Sequence, residues 1–476
     1  MSKEAIIGRK KEQKELDWCM TTTAAQLVVV QGRRRIGKTF LITQYFDNTF
    51  DFRLTGSYCQ PKHVQLRNFS DEMCRRTGNA IAVPKDWTEA FFVLRQYLEE
   101  LPQDRKQVVF FDEMPWMDTA KSGFLPAFEY FWNDYGSTKD NLVFIVCGSA
   151  SSWLSDHIAH NKGGLFNRVT CSLMLDPFTL RECEEFLEKR GFLWSRYVIT
   201  VCYMILGGIP YYLNFLRNTM TLEENIDALF FHHAGKLRGE FLELFRTLFT
   251  NTNLHAKIVE VLSTKRSGMT MGEIAEKAKI PHNGDLKHCL ENLMDSGFVR
   301  CYRFFGNKKK NLTYQLCDPF TLFYFHFLKN QEGRDEAFWR NSQGNAAIRT
   351  WKGLAFENVC MDHLEAIKKT LRVDHLPTEC SVWHTAKDEE HDGAQIDMLL
   401  DRQDHIINLF ELKFSEEEYA IDAKYEKSLR NKLSVFRYAT GTKKALHLTM
   451  VTTYGLLRNK YSEICQEQIT LDDLFL

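Results

Sequence analysis

The sequence predicts a multidomain α/β protein. Three observations carry this. An apolar run, a glycine-bearing turn and a helix-compatible segment follow one another over residues 27–46. Two further apolar runs, 108–111 and 142–147, each end in small or acidic groups, as buried parallel strands do. Near the C-terminus, two strand-like runs over 393–412 are separated by a short polar turn and carry carboxylates.

The first feature organises the chain. Leu27-Val28-Val29-Val30 leads into Gly32-Arg33-Arg34-Arg35-Ile36-Gly37-Lys38-Thr39, and a helix is expected from Phe40 to Phe46. Strand, G-x-x-x-x-G-K-T turn and helix are the context that makes this spacing a phosphate-binding loop. The glycines let backbone N–H groups curl inward around phosphate oxygens, and the helix N-terminus adds partial positive charge there. Lys38 would reach the β- and γ-phosphates, and Thr39 would hold Mg²⁺ through its hydroxyl. ATP and Mg²⁺ are the expected ligands.

Ile6-Ile7-Gly8-Arg9 precedes a short helix and is placed to pack over the adenine or simply to cap that helix. A second strand is expected near Phe50 to Leu54. Phe91, Phe92, Leu94 and Leu98 recur at helical spacing and read as core. Val108-Val109-Phe110-Phe111 ends in Asp112-Glu113, carboxylates at the edge of an α/β sheet where ligands sit. Asp112 would serve the Mg²⁺ shell, and Glu113 would orient or deprotonate the attacking water. Leu142 to Cys147 forms a further strand, ending in Gly148-Ser149, with Ser149 a candidate contact to the γ-phosphate. Arg168, ahead of a strand at Val169 to Leu175, is either an arginine finger or a surface residue. Pro177 opens a helical segment interrupted by Gly207-Gly208-Ile209-Pro210.

These residues, IIGRKKE, GRRRIGKT, VVFFDE, VCGSASSWL, LFNRVT and GGIPYYL in this order, resemble the archaeal-type ATPases of the STAND branch of the AAA+-like ATPases. The resemblance covers about the first 235 residues. It implies a RecA/AAA-like sheet in which the strand ending at Ser149 separates the loop-bearing strand from the Asp112 strand, plus a helical lid. It also implies nucleotide contacts from Gly8, Arg9 and Pro210. Gly208-x-Pro210 stands where ring-forming relatives carry a sensor arginine, which argues against a hexameric ring and for a switch that opens and closes.

Residues 254–318 read as three helices and a hairpin, the order of a winged helix. Thr270 and Glu273 form a capping-box pair. The third helix carries Asp285, Glu291 and Asp295 and matches phosphates poorly. The hairpin, with Arg300, Arg303 and Lys308 to Lys310, is better supplied. It serves either DNA or only packing.

From 335 onward the pattern changes again. A helix carries Gly353-Leu354-Ala355-Phe356-Glu357, and a hairpin carries Asp397 on one strand with Glu411 and Lys413 on the other. Period-2 alternation puts Glu411 and Lys413 on one face, with Asp397 brought across the turn. Carboxylates that bind Mg²⁺ beside a lysine meet the needs of metal-assisted phosphodiester cleavage. The segment resembles the PD-(D/E)xK nuclease fold, with Lys427 and Lys432 on a following helix. The expected domains are thus a P-loop ATPase with lid (1–235), a winged helix (240–330) and a nuclease-like domain (335–476).

The bulk numbers limit the rest. A net charge of −1 excludes a global field drawing the chain to nucleic acid or membrane, so any DNA contact must be local. The 13 cysteines form no C-x-x-C pair, which argues against a zinc ribbon. No run approaches the ~18 apolar residues that span a bilayer, and a cytoplasmic location is expected. Two functions compete: an ATP-controlled nuclease acting on DNA, and a regulatory or scaffold ATPase whose last domain only binds nucleic acid or protein.

Overall fold

The computed structural model describes the chain except residues 1–4, 149–150, 155–156, 159–163, 166, 250, 307–311, 330–334 and 386–392. It divides into two compact units, Met1–Asp176 with Asp295–Gly297, and Pro177–Met294 with Phe298–Leu476. The helices that follow Pro177 therefore belong with the C-terminal residues.

The first unit is a five-stranded parallel sheet: β1 (Gln26–Gly32), β2 (Phe52–Thr55), β3 (Gln107–Asp112), β4 (Leu142–Cys147) and β5 (Cys171–Leu175). Their order is β2-β3-β4-β1-β5. Every residue of β1, β3 and β4 is buried. Helices cover both faces of a parallel sheet, so these strands read as unbroken apolar runs rather than alternating ones. One face is filled by rings: Phe111 packs on Phe91 and Phe144, and Phe128 on Phe144. Each such side chain stabilises the fold by roughly 1.5–3 kcal/mol, which fixes the strand ends that carry the polar groups. β4 separates β1 from β3, the order that the resemblance implies.

The second unit holds two sheets. β6 (Met269–Thr270), β7 (Val299–Arg303) and β8 (Leu312–Leu316) form a three-stranded antiparallel sheet in the order β6-β8-β7. It packs with the helices Thr252–Ser263, Met271–Ala278 and Gly284–Asp295. Thr270 caps the second of these, with Glu273 closing the capping box. The lysines at 308–310 lie outside the described residues. β9 (Thr378–Thr385), β10 (Ala394–Arg402), β11 (Ile406–Lys413), β12 (Ala445–Thr452) and β13 (Glu467–Thr470) form the other sheet. β9, β10 and β11 are an antiparallel meander, and β12 returns parallel to β11 after the helix Ala423–Thr440. The helix Ala346–Asp362 leads into this sheet. Among the described residues, no helix is long and apolar enough to cross a membrane.

Candidate functional site

The phosphate loop and the acidic end of β3 lie in the first unit. β1 ends at Gly32, whose φ of 136° is open to glycine and whose added Cβ would lie 2.5 Å from the Leu175 carbonyl oxygen. The chain then curls through Arg35 and Gly37, both at positive φ, and enters the helix Lys38–Tyr45. Lys38 is 6% exposed and donates to the carbonyls of Gly32 (2.7 Å) and Arg33 (3.0 Å). Burial pulls its ammonium below the ordinary lysine range, with the Glu113 and Asp112 charges opposing. Arg33 and Ile36 are buried, while Arg34 and Arg35 are half-buried. Arg9 reaches the same loop: it donates to the Asp176 carbonyl at 2.7 Å and to the Ile36 carbonyl at 3.5 Å, while the preceding Gly8 carbonyl accepts from Gln13.

At the end of β3, Asp112 is 3% exposed. Its Oδ1 accepts from Thr39 Oγ1 (3.0 Å) and from Cys147 Sγ (2.7 Å), and its Oδ2 lies 3.6 Å from Arg53. Burial, then the Asp112 charge, pushes the Cys147 thiol well up, so it donates a proton and does not ionise. Glu113 follows in a left-handed conformation (φ 49°) that turns the chain into a short helical turn, Met114–Trp116. The hydroxyl of Thr39 and the carboxylate of Asp112 are the hard oxygen donors that Mg²⁺ takes, so this pair fits the ion. Arg53 and Cys147 are part of the site and were not foreseen. Their signal was the strand order, which brings β2 and β4 to either side of β3.

Three expected residues stand apart. Ser149 lies outside the described residues. Pro210 lies in the second unit, at the start of the helix Pro210–Leu213. Arg168 was expected either as an arginine finger or as a surface residue. It is exposed on the turn before β5, where the Thr170 N–H donates to the Leu27 carbonyl at 3.1 Å. That is the start of β1. The phosphate loop leaves its other end, roughly 17 Å of strand away. A residue entering a parallel strand begins at the edge opposite the ligand, so Arg168 does not reach the loop of its own chain.

The second centre lies in the C-terminal sheet. Continuing the register Met398↔Phe410 by one position sets Asp397 opposite Glu411. β10 carries one extra residue against β9 between Ile396 and Leu399, a bulge at Asp397 of the kind that re-aims side chains. Gln395 donates to Asp397 Oδ1 at 2.5 Å. Glu411 is buried, its Oε2 accepting from Lys432 at 2.7 Å and its Oε1 lying 3.2 Å from Lys413. Burial raises its proton affinity, but Lys432 and Lys413 outweigh burial and hold the carboxyl below the usual range. Glu357, on the helix Ala346–Asp362, goes the other way. Burial and then the Asp397 charge push it up to about 8, against Arg266 and Lys413. Glu357 and Asp397 line one cavity of about 270 Å³.

The donor atoms here are of the type Mg²⁺ takes, carried by the neighbouring strands β10 and β11. Among the described residues, the trio of ligand groups lying within 4.8 Å of one another is His232, His233 and Glu336, not these acids. Two lysines already balance Glu411.

Fold and loop together define a P-loop ATPase domain. Residues 7–216 match a family described as an ATPase domain predominantly from Archaea. An uncharacterized protein of Methanocaldococcus jannaschii is 24% identical over 398 residues, 83% of this chain and 84% of that protein. The Walker-type ATPase of Pyrococcus abyssi superposes with a TM-score of 0.49 at 18% identity, over 68% of this chain and 97% of that one. A STAND protein with a tetratricopeptide repeat sensor from Pyrococcus horikoshii gives a TM-score of 0.30 at 16% identity, over 78% and 56%.

Proposed function

We propose that this protein uses ATP binding and hydrolysis to control a C-terminal, metal-dependent, nuclease-like domain acting on DNA. At the nucleotide site, Lys38 and the loop backbone hold the β- and γ-phosphates, and Thr39 and Asp112 hold Mg²⁺, which neutralises phosphate charge when bound. Gly8, Arg9 and Pro210 are assigned to the nucleotide, Ser149 to its γ-phosphate, and Glu113 to the attacking water. Residues 254–318 act as a winged helix that contacts DNA through its hairpin.

The observation that carries the nuclease-like reading is Asp397 set across from Glu411 at a bulge, with Lys413 beside it. Helix, three-stranded meander, helix and parallel strand are the order expected of that fold. Glu357 extends the acid cluster from the preceding helix. One observation favours the rival, a domain that binds without cutting: both oxygens of Glu411 face lysines. The test is plasmid incubated with the full-length protein and Mg²⁺ or Mn²⁺, with and without ATP. Divalent-dependent nicking or linearisation lost in Glu411→Gln supports the nuclease; intact plasmid in every lane supports the rival.

A further inference from the structure

Arg266 sits on the turn between the helix Thr252–Ser263 and β6, in the three-stranded module and not in the C-terminal sheet. It lines the same cavity of about 270 Å³ as Glu357 and Asp397, together with Tyr302, Gln315 and Gln395. The turn is held rigidly. Gln315 Nε2 donates to the Arg266 carbonyl at 2.7 Å, and the Tyr302 hydroxyl donates to the Ser267 carbonyl at 2.6 Å. Gly268 follows at φ 76°, where a Cβ would lie 2.7 Å from the Tyr314 carbonyl oxygen and 2.7 Å from Thr313 Cγ2. The module is in turn fastened to the C-terminal sheet. The Phe305 N–H donates to the Val382 carbonyl at 3.0 Å beside the bulge, Phe305 packs on Phe436, and Arg300 pairs with Asp362 at 2.6 Å.

The guanidinium itself is half-buried, yet among the described residues it makes no hydrogen bond or ion pair; the charge acting on it is Glu357. A guanidinium has five donors in a planar fork that matches phosphate oxygens. Half-buried and lining the cavity, it stays within reach of a ligand there. A fixed turn that presents such a group to a cluster of carboxylates is arranged for a ligand carrying its own negative charge.

We propose that Arg266 binds the phosphodiester of a nucleic acid at the carboxylate centre, so that the site is shared between the three-stranded module and the C-terminal sheet. This rests on the nuclease-like reading. It assigns the module a part in the site itself, beyond any contact made by its hairpin tip.

The experiment uses the full-length protein and a fluorescein-labelled single-stranded DNA 12-mer in Ca²⁺, read by fluorescence anisotropy over a salt series. Arg266→Ala is expected to weaken binding about 10-fold and to lower the salt slope by about 0.7, one phosphate contact on a single strand. Arg266→Lys keeps the charge and should recover most of the slope. ATP hydrolysis without DNA and the melting temperature should match wild type, which a merely structural role for Arg266 would not allow. If Arg266→Ala binds as wild type does with the same slope, the inference is overturned, while the nuclease reading stands or falls separately on plasmid cleavage and its loss in Glu411→Gln. A wild-type protein that neither binds the 12-mer nor cuts plasmid overturns both.

Discussion

Thr39 donates its hydroxyl to Asp112 Oδ1 at 3.0 Å, which joins the phosphate loop to the acidic end of β3 before any ligand is considered. The two groups come from strands separated by β4, so the contact depends on the sheet order and on the buried run of β4 between them. Lys38 is fixed nearby by two loop carbonyls.

Lys38→Ala should therefore cost at least about 100-fold in ATP affinity, because a charge-assisted hydrogen bond to phosphate is worth ~1.5–3 kcal/mol and more than one is removed. Thr39→Val should weaken binding chiefly when Mg²⁺ is present, since it deletes a candidate metal oxygen and keeps the loop. Titration calorimetry with and without Mg²⁺ separates the two effects. Equal affinity for Lys38→Ala and wild type would show that the nucleotide lies elsewhere.

Glu113→Gln should leave ATP affinity within a few-fold and slow hydrolysis by roughly 10²–10⁴, the range for loss of a positioned general base. Glu113 follows β3 in a left-handed backbone conformation, and a glutamine there keeps the same side-chain shape. Phosphate release under single-turnover conditions measures the change; undiminished release removes Glu113 from the role.

Much of the nucleotide site was legible because its determinants are local. Gly32 to Thr39 are contiguous, and Asp112-Glu113 end an apolar run whose burial on both faces suppresses alternation. Arg53 and Cys147 were not legible, since each touches Asp112 only through the lateral order β2-β3-β4, which no local pattern encodes. Arg168 was left between two readings for the same reason: an arginine before a strand gives no sign of which sheet edge it begins from. In the C-terminal part, two strand-like runs around a short turn were enough to predict the hairpin that carries Asp397 and Glu411. The bulge, the approach of Lys432 to Glu411 and the entry of Arg266 into the cavity depend on long-range packing.

His363 provides a pH test at a residue assigned to neither centre. It is 4% exposed, accepts from the Leu180 N–H at Nε2 (2.8 Å) and donates from Nδ1 to the Val359 carbonyl (2.7 Å). The neutral ring is thus fully satisfied, and burial lowers its pKa to about 4, with the Val359 bond opposing. Between that value and ~6.5 the unfolded chain binds the extra proton, so stability is fully present above ~6.5 and is lost as pH falls towards 4. The contribution is on the order of 3 kcal/mol. His363→Gln, which does not titrate, should flatten that decline in denaturant unfolding measured at pH 7 and pH 4.5. An identical decline in both proteins would mean that other groups carry it.

The last prediction concerns Asp397, Glu411 and Lys413. If they act as one centre, Asp397→Asn and Glu411→Gln should each remove divalent-dependent cleavage, and the double variant should be no worse than either, because residues acting as a unit are not additive. Lys413→Met should remove cleavage yet leave divalent binding nearly unchanged, since an ammonium donates and does not ligate a cation. Lys432→Met should behave differently. Lys432 neutralises Glu411 at 2.7 Å, so its loss frees one carboxylate oxygen and should strengthen divalent binding while costing about 1–3 kcal/mol of stability. None of these changes should alter ATP hydrolysis without DNA, because every one lies outside the unit that carries the phosphate loop. The decisive measurements are cleavage of duplex and single-stranded DNA and of RNA, together with the thermal shift produced by Mg²⁺ or Mn²⁺. A wild-type protein that hydrolyses ATP but cuts none of these substrates, and whose divalent thermal shift survives Asp397→Asn, would make the C-terminal sheet a binding domain and leave Lys413 and Lys432 as the permanent partners of Glu411.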